Sequence, residues 1–295
     1  MRKAFIQELV ALARQNPQIA LIVGDLGYSV IEPFAEEFPD RFINAGIAEQ
    51  NMTGVAAGMA SEGYHVFTYS IANFPTFRCA EQIRNDVAYH QLPVTVVSVG
   101  GGFAYGALGY SHHAVQDYAL MRTLPGMLIA APGDPIEVRA CLRYLVENPG
   151  PSYLRLGKSG EPSFHREPPK VAPGKWLLIR EGAGAKRKAV ITTGATLQLA
   201  MEGNAKISLL DHAVYSMPLW SMKDKHKILD LIRNYEEIVT IEDHLIDGGF
   251  GSWLLEAKAM DKSIRCDLKT LALNDVACAT VGSQATLNRI GGISI

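Results

Sequence analysis

Nowhere in its 295 residues does the sequence carry an apolar run near the length of about eighteen that a membrane-spanning helix needs. The start, Met1-Arg2-Lys3-Ala4, leads into an amphipathic pattern instead of the apolar stretch of a signal peptide. Net charge is nearly absent, −2 at pH 7, which leaves no electrostatic argument for nucleic acid or an anionic membrane as a partner. The four cysteines, Cys79, Cys141, Cys266 and Cys278, stand in neither CxxC nor histidine-associated spacing. That excludes a zinc centre or a disulfide framework and reads as buried thiols in a reducing compartment, the cytoplasm. The G-x-G-x-x-G dinucleotide fingerprint is missing, as are internal repeats and low-complexity tracts. What is present is ordinary for a soluble globular chain: 48% hydrophobic and 20% charged residues, long enough for one large or two medium domains.

The order of patterns predicts an α/β protein. An amphipathic helix over residues 3–15 precedes a continuous apolar run, Ile19 to Val23, of the kind a buried parallel strand requires. Further strands are expected at Arg41–Asn44, His65–Tyr69, Val94–Val99, Met127–Ala130 and Ser152–Leu156. Helices alternate with them, the longest at about Thr76–His90 and Pro135–Val146. This pitch makes residues 1–160 a doubly wound parallel-sheet domain. Residues 161–186, with Pro162, Pro168, Pro169 and Pro173, read as a linker. A smaller α/β unit fills 187–295, with strands at Ala189–Thr193, Ile207–Leu210, Ile238–Glu242 and Ile264–Leu271. Helices are expected there at Lys225–Asn234 and Gly251–Met260.

The first domain is organised around Arg41-Phe42-Ile43-Asn44-Ala45-Gly46-Ile47-Ala48-Glu49-Gln50-Asn51-Met52, a short strand turning into a helix that runs to Ser61. Glu49 in the first turn is the acid a helix N-terminus favours anyway. Yet Ile47, Asn51, Gly54, Gly58 and Ser61 recur at helical spacing, so one face is nearly bare and suited to close packing. A carboxylate at the mouth of such a contact is buried and becomes a proton-sharing group.

Three other stretches stand at strand ends. Gly24-Asp25-Leu26-Gly27-Tyr28-Ser29 has β-turn composition. Phe74 and Phe77, three apart, fit a helix face packed in the core. The loop from Gly100 to Gly109 runs into His112 and His113, and its glycines permit backbone to approach a ligand at a strand's carboxyl end. Paired loop histidines are equally compatible with a structural role.

The run G-I-x-E-x-x-M after a strand, with F-x-x-F and a glycine-rich loop ending in histidine, resembles the pyrimidine-binding domain of transketolases. Ile241-Glu242-Asp243-His244 with Gly248-Gly249-Phe250-Gly251 is similar to the turn of the transketolase C-terminal domain, and Gly282-Ser283-Gln284 fits too. The resemblance implies thiamine diphosphate as cofactor. Glu49 shares a proton with its aminopyrimidine ring, Phe74 and Phe77 stack on that ring, and Asp25 faces the cofactor across the boundary between two subunits. His112 touches the reacting oxygens of the substrate. Arg2, Ser29 and Arg155 match positions that hold a sugar phosphate, for which arginine's fork is suited. Asp243 and His244 are structural in this scheme.

The chain resembles only the second half of a transketolase. Gly24-Asp25-Leu26 is not the G-D-G of the diphosphate site, and Asn51 lies inside the Glu49 helix. The resemblance therefore implies one subunit of a split enzyme in an α2β2 heterotetramer. The separate N-terminal subunit would supply the diphosphate site and the ligands of Mg²⁺, with none on this chain. The bare Gly54/Gly58 face is the candidate seam. The implied reaction moves a two-carbon ketol unit from a ketose phosphate to an aldose. Leu108 and Val99 replace polar residues of the family pattern, which points to altered sugar selectivity. At Ala80 a third aromatic is missing, and the segment between Leu197 and Ile207 is short, exposing one sheet face. Two rivals share the fold: the β chain of a 2-oxoacid dehydrogenase, which has a similar Glu81-Gln82-Ile83 run, and a non-catalytic regulatory subunit.

Overall fold

The computed structural model describes residues 1–184, 187–202 and 209–293. Among these residues, twelve strands, numbered in chain order, form two sheets. β1 (Ile19–Val23), β2 (Phe42–Asn44), β3 (His65–Ile71), β4 (Val94–Val99), β5 (Leu128–Ala130) and β6 (Ser152–Leu156) belong to the first. β7 (Leu177–Arg180), β8 (Lys188–Thr192), β9 (Ala213–Ser216), β11 (Glu237–Leu245) and β12 (Asp267–Leu273) make the second. The remaining strand, β10 (Leu219–Ser221), comes from the C-terminal part of the chain but pairs antiparallel with β5, giving the first sheet the order β10-β5-β6-β4-β3-β1-β2. The second sheet runs β12-β11-β8-β9-β7, parallel except for β7.

Parallel strands covered on both faces need unbroken apolar sequence, and all five residues of β1 and all six of β4 are buried. The register aligns the carboxyl ends: Val23 lies opposite Asn44 and Tyr69, Ile71 opposite Val99, and Val99 opposite Leu156. The loops after β1, β2, β3 and β4 therefore emerge along one rim of the sheet, where open α/β sheets bind ligands.

Several expectations change here. The helix expected at Thr76–His90 is a compound one, with a 3₁₀ turn at Phe77–Cys79, α at Ala80–Gln82 and π over Ile83–Ala88. Local widening of this kind is found often beside functional sites. The 161–186 segment, read as a linker, contributes edge strand β7, with Val171 and Trp176 buried. The helix expected at Lys225–Asn234 is a 3₁₀ segment, Met222–Ile228, followed by α at Leu229–Arg233. Of the expected strand Ile207–Leu210, residues 207 and 208 lie outside those described and Leu209 and Leu210 are not in a strand; β9 forms a few residues later. The short Leu197–Ile207 segment also lies partly outside them, and its described part is the helix Thr196–Glu202.

A buried electrostatic knot joins the two units. The Arg155 guanidinium, at the end of β6, donates from Nε to Asp117 Oδ2 (2.7 Å), from Nη2 to the Ala114 carbonyl (2.8 Å), and from Nη1 to Asp243 of β11. It also lies 4.4 Å from the Tyr118 ring centroid. The glycines of the 100–109 loop serve this packing: a Cβ on Gly101 would collide with the Arg155 guanidinium, and one on Gly102 with the Asp243 carboxylate.

Candidate active site

The Glu49–Ser61 helix begins where the chain turns after β2, through Gly46 at φ +71°. Its inner face, Met52, Thr53, Ala56, Ala57 and Ala60, packs on the sheet. The opposite face, Asn51, Gly54, Gly58 and Ser61, is exposed, so the close partner expected for it is not part of this chain's described residues. A Cβ added to Gly54 or Gly58 would meet nothing within 4 Å.

Glu49 is 2% exposed, with Gly24 at the end of β1 so close that a Cβ there would lie 3.4 Å from Glu49 Cγ. Its carboxylate is not solitary. Arg78 Nη1 donates to Oε2 at 2.8 Å, and the same guanidinium lies 4.5 Å from the Phe74 ring centroid. Sequence reasoning missed Arg78, although it follows Phe77 and stands one helical turn after Phe74. Phe74 is half-buried, and its ring meets the His112 imidazole edge-on with centroids 5.2 Å apart. Phe77 does not complete a sandwich; it is exposed at the rim.

His112 ends a short 3₁₀ turn, Tyr110–His112, with Nδ1 3.0 Å from Ser111 Oγ. Burial, helped by neighbouring His113, lowers its pKa below the ordinary histidine value. His113 is buried, with Nε2 3.3 Å from the Gly106 carbonyl. Asn73, a second residue sequence reasoning missed, donates to the carbonyls of Ser111 and His113. Glu49, Arg78, Phe74 and His112 thus form one contiguous line along the rim.

Asp25 stands beside Gly24 in a left-handed conformation, φ +53°. Hydrogen bonds from Asn44 and Tyr28 hold its carboxyl below the usual aspartate range. Ser29 is also left-handed (φ +64°), and its N–H donates to Glu32 at 2.6 Å. Left-handed backbone at non-glycine residues costs on the order of 1 kcal/mol and clusters at ligand sites. Arg2 Nε donates to the Lys158 carbonyl.

The expected phosphate clamp is therefore not assembled as the sequence suggested. Arg155 is 3% exposed and its donors are taken by Asp117, Asp243 and Ala114, so it has no free fork for a phosphate. Leu108 and Val99 lie as expected in the loop and at the end of β4, the first exposed and the second buried.

Asp243 and His244 sit at the seam between the units. His244 accepts from the Ala119 N–H and stacks on Tyr118. Behind them, Glu242 receives the N–H groups of Phe250 and Gly251, while burial raises its pKa to about 8. A separate cleft of about 460 Å³ opens between the units, lined by Lys158, Thr196, Asp243 and Asn288 among others.

The fold is thus two α/β units, with a buried carboxylate, an aromatic ring and a histidine in line on the strand-end rim of the first. Residues 1–161 match the family described as transketolase, pyrimidine binding domain, and residues 174–291 that described as transketolase, C-terminal domain. The chain belongs to the transketolase family. It is 35% identical to a subunit of the apulose-4-phosphate transketolase of Phocaeicola vulgatus, over 86% of this chain and 82% of that one. It is 33% identical to a putative transketolase C-terminal section of Methanocaldococcus jannaschii, over 94% and 87% of the two chains. Among solved structures, one described as a split gene transketolase, inactive beta4 tetramer, superposes with a TM-score of 0.83 at 32% identity, covering 99% of this chain and 93% of that one.

Proposed function

We propose that this chain is the C-terminal subunit of a split, thiamine diphosphate-dependent transketolase of the cytoplasm. It acts with a separate N-terminal subunit that supplies the diphosphate and Mg²⁺ site, in an α2β2 assembly. The observation that carries the reading is the buried Glu49 carboxylate beside the half-open Phe74 ring on a rim that one chain does not close. Relatives named as single subunits of a transketolase, and the split-gene neighbour, support the two-chain arrangement.

The residues fit the aminopyrimidine end of the cofactor. Glu49 offers a carboxylate out of water, Phe74 a flat apolar face, and Gly24 a backbone without a Cβ to obstruct approach. The half-exposed Arg78 contacts both groups, pairing with Glu49 and lying against the Phe74 ring. When bound, thiamine diphosphate supplies the electron sink that permits cleavage of a carbon–carbon bond beside a carbonyl. Glu49 would hold the proton shared with the ring at its buried carboxyl oxygen. His112, with its pKa lowered, is poised as a neutral base to take or return a proton at a substrate oxygen near neutral pH. Arg2, Ser29 and Asp25 remain the candidates for holding the ketose phosphate and the cofactor's far edge.

The substrates proposed are a ketose phosphate donor and an aldose acceptor, with exposed Leu108 replacing a polar reader of the donor's hydroxyl. The apulose 4-phosphate in the names of two relatives makes it one of the first compounds to screen. Glu49→Gln in the assembled complex is expected to lower turnover by about two to four orders of magnitude, with an unchanged fold by circular dichroism. Undiminished turnover would remove Glu49 from its role. The absence of saturable, Mg²⁺-dependent cofactor binding would favour a regulatory subunit, and release of carbon dioxide from 2-oxoacids would favour the dehydrogenase reading.

A further inference from the structure

We propose that Asn73 is the positioning residue for His112, fixing the imidazole's distance from the Phe74 ring by clamping the backbone on both sides of it. The inference rests on the reading of His112 given above, but the geometry behind it is independent of the cofactor.

β3 ends at Ile71, and the chain bends at once: the Ala72 N–H still reaches the Val99 carbonyl (2.9 Å), and the Phe74 N–H returns to Ile71 (2.8 Å). The Ala72 carbonyl receives the Thr76 hydroxyl at 2.7 Å. Asn73 thus stands on a turn held from both sides. From there its Nδ2 donates to the Ser111 carbonyl at 3.1 Å and to the His113 carbonyl at 2.9 Å. These are the peptide oxygens that bracket His112. Because both partners are acceptors, the amide end facing them must be the NH₂, which removes the usual ambiguity in placing an asparagine side chain. Its Oδ1 is buried and unpartnered, so the side chain is employed solely as a double donor.

The far side of the loop is fixed separately, by the Gly102–Ala114 bridge and by His113 against the Gly106 carbonyl. His112 itself is held only lightly: its ring contacts are the Ser111 hydroxyl, the edge of Phe74 and, at 6.5 Å, Tyr105. Asn73 and Phe74 are adjacent residues. One dipeptide therefore carries both the aromatic face assigned to the cofactor and the clamp on the histidine assigned to the substrate, so the spacing between the two is set locally. A displacement of about 1 Å at such a group is enough to cost on the order of a hundredfold in rate.

The test uses the chain assembled with its N-terminal subunit, with D-xylulose 5-phosphate as donor and D-ribose 5-phosphate as acceptor. Asn73→Asp keeps the shape but replaces the double donor by a carboxylate that repels both carbonyls; Asn73→Ser keeps one donor. The expected result is a fall in kcat of about ten- to a hundredfold for N73D, a smaller fall for N73S, and a donor KM within about threefold of wild type. In the N73D/H112A double variant no further loss beyond H112A is expected, because both changes act through one group. Losses that multiply in the double variant, or a full kcat in N73D beside a damaged H112A, would overturn the proposal. A second readout needs no turnover. In the ¹⁵N-histidine-labelled chain, the His112 ring signals, identified by their absence in H112A, should move and broaden in N73D while those of distant His65 stay. Unmoved His112 signals would overturn the clamp. If H112A retains full activity while its ring signals still respond to N73D, the clamp stands and the role proposed for His112 falls.

Discussion

Replacing Arg155 by leucine decides between two incompatible uses of that side chain. As a phosphate ligand, Arg155 would matter to the substrate and little to the fold. In the structure it is a buried keystone: Asp117 and Asp243 are both almost wholly buried, and the one guanidinium between them is their shared counter-charge. Arg155→Leu leaves Asp243 without its partner and Asp117 with only the Tyr153 hydroxyl, and it removes one of the two donors to the Ala114 carbonyl, the Gly102 N–H remaining. Removing one partner of a buried pair costs about 3–5 kcal/mol, and a doubly used arginine belongs at the upper end. Proton uptake by one aspartate limits the loss, so about 4 kcal/mol is expected. For a chain of this size that corresponds to a fall in Tm of about 10 °C, measured by calorimetry on the chain alone and in complex. An unpaired buried carboxylate favours its protonated form, so the deficit should shrink as pH falls. Adding Asp117→Asn and Asp243→Asn should recover much of it. A Tm within about 2 °C of wild type, together with a large rise in the KM for a ketose phosphate, would refute the reasoning and restore Arg155 to the substrate.

Two further outcomes follow from the same structure. Burial lowers the pKa of His65, at the opposite end of β3, from 6.5 to about 4. A depressed folded-state pKa contributes stability above pH 6.5 that is lost as pH falls toward 4, so His65→Gln should flatten the urea-midpoint profile in that window; identical slopes would show that His65 does not titrate as placed. Gly54→Ala with Gly58→Ala should raise the stability of the chain alone by about 1–2 kcal/mol, since both sites are helical and open. If that face is the subunit seam, the same pair weakens association with the partner in sedimentation experiments; unchanged association would place the seam elsewhere.

How much of this was legible beforehand depends on the range over which the physics acts. The strands Ile19–Val23, Val94–Val99 and Ser152–Leu156 were readable with their bounds, and the helix ending at Ser61 with its end, because burial on both faces of a parallel strand, or on one face of a helix, imposes a local pattern on composition. The compound helix over 77–88 was not, since nothing in its composition distinguishes α from π. β10 escaped because three residues carry too little pattern, and no local feature indicates that Leu219–Ser221 returns to the first sheet.

The candidate site divides the same way. That Glu49, Phe74 and His112 share a strand-end rim follows from the order of strands and loops, which is written along the chain. That Arg78 pairs with a glutamate 29 residues away, or that Arg155 is held by acids 38 and 88 residues distant, emerged only once the chain was packed. An isolated arginine has the same composition whether it grips a ligand or a buried aspartate. Its charge interacts through space, at distances and dielectric conditions set by the folded interior and not by neighbours in sequence.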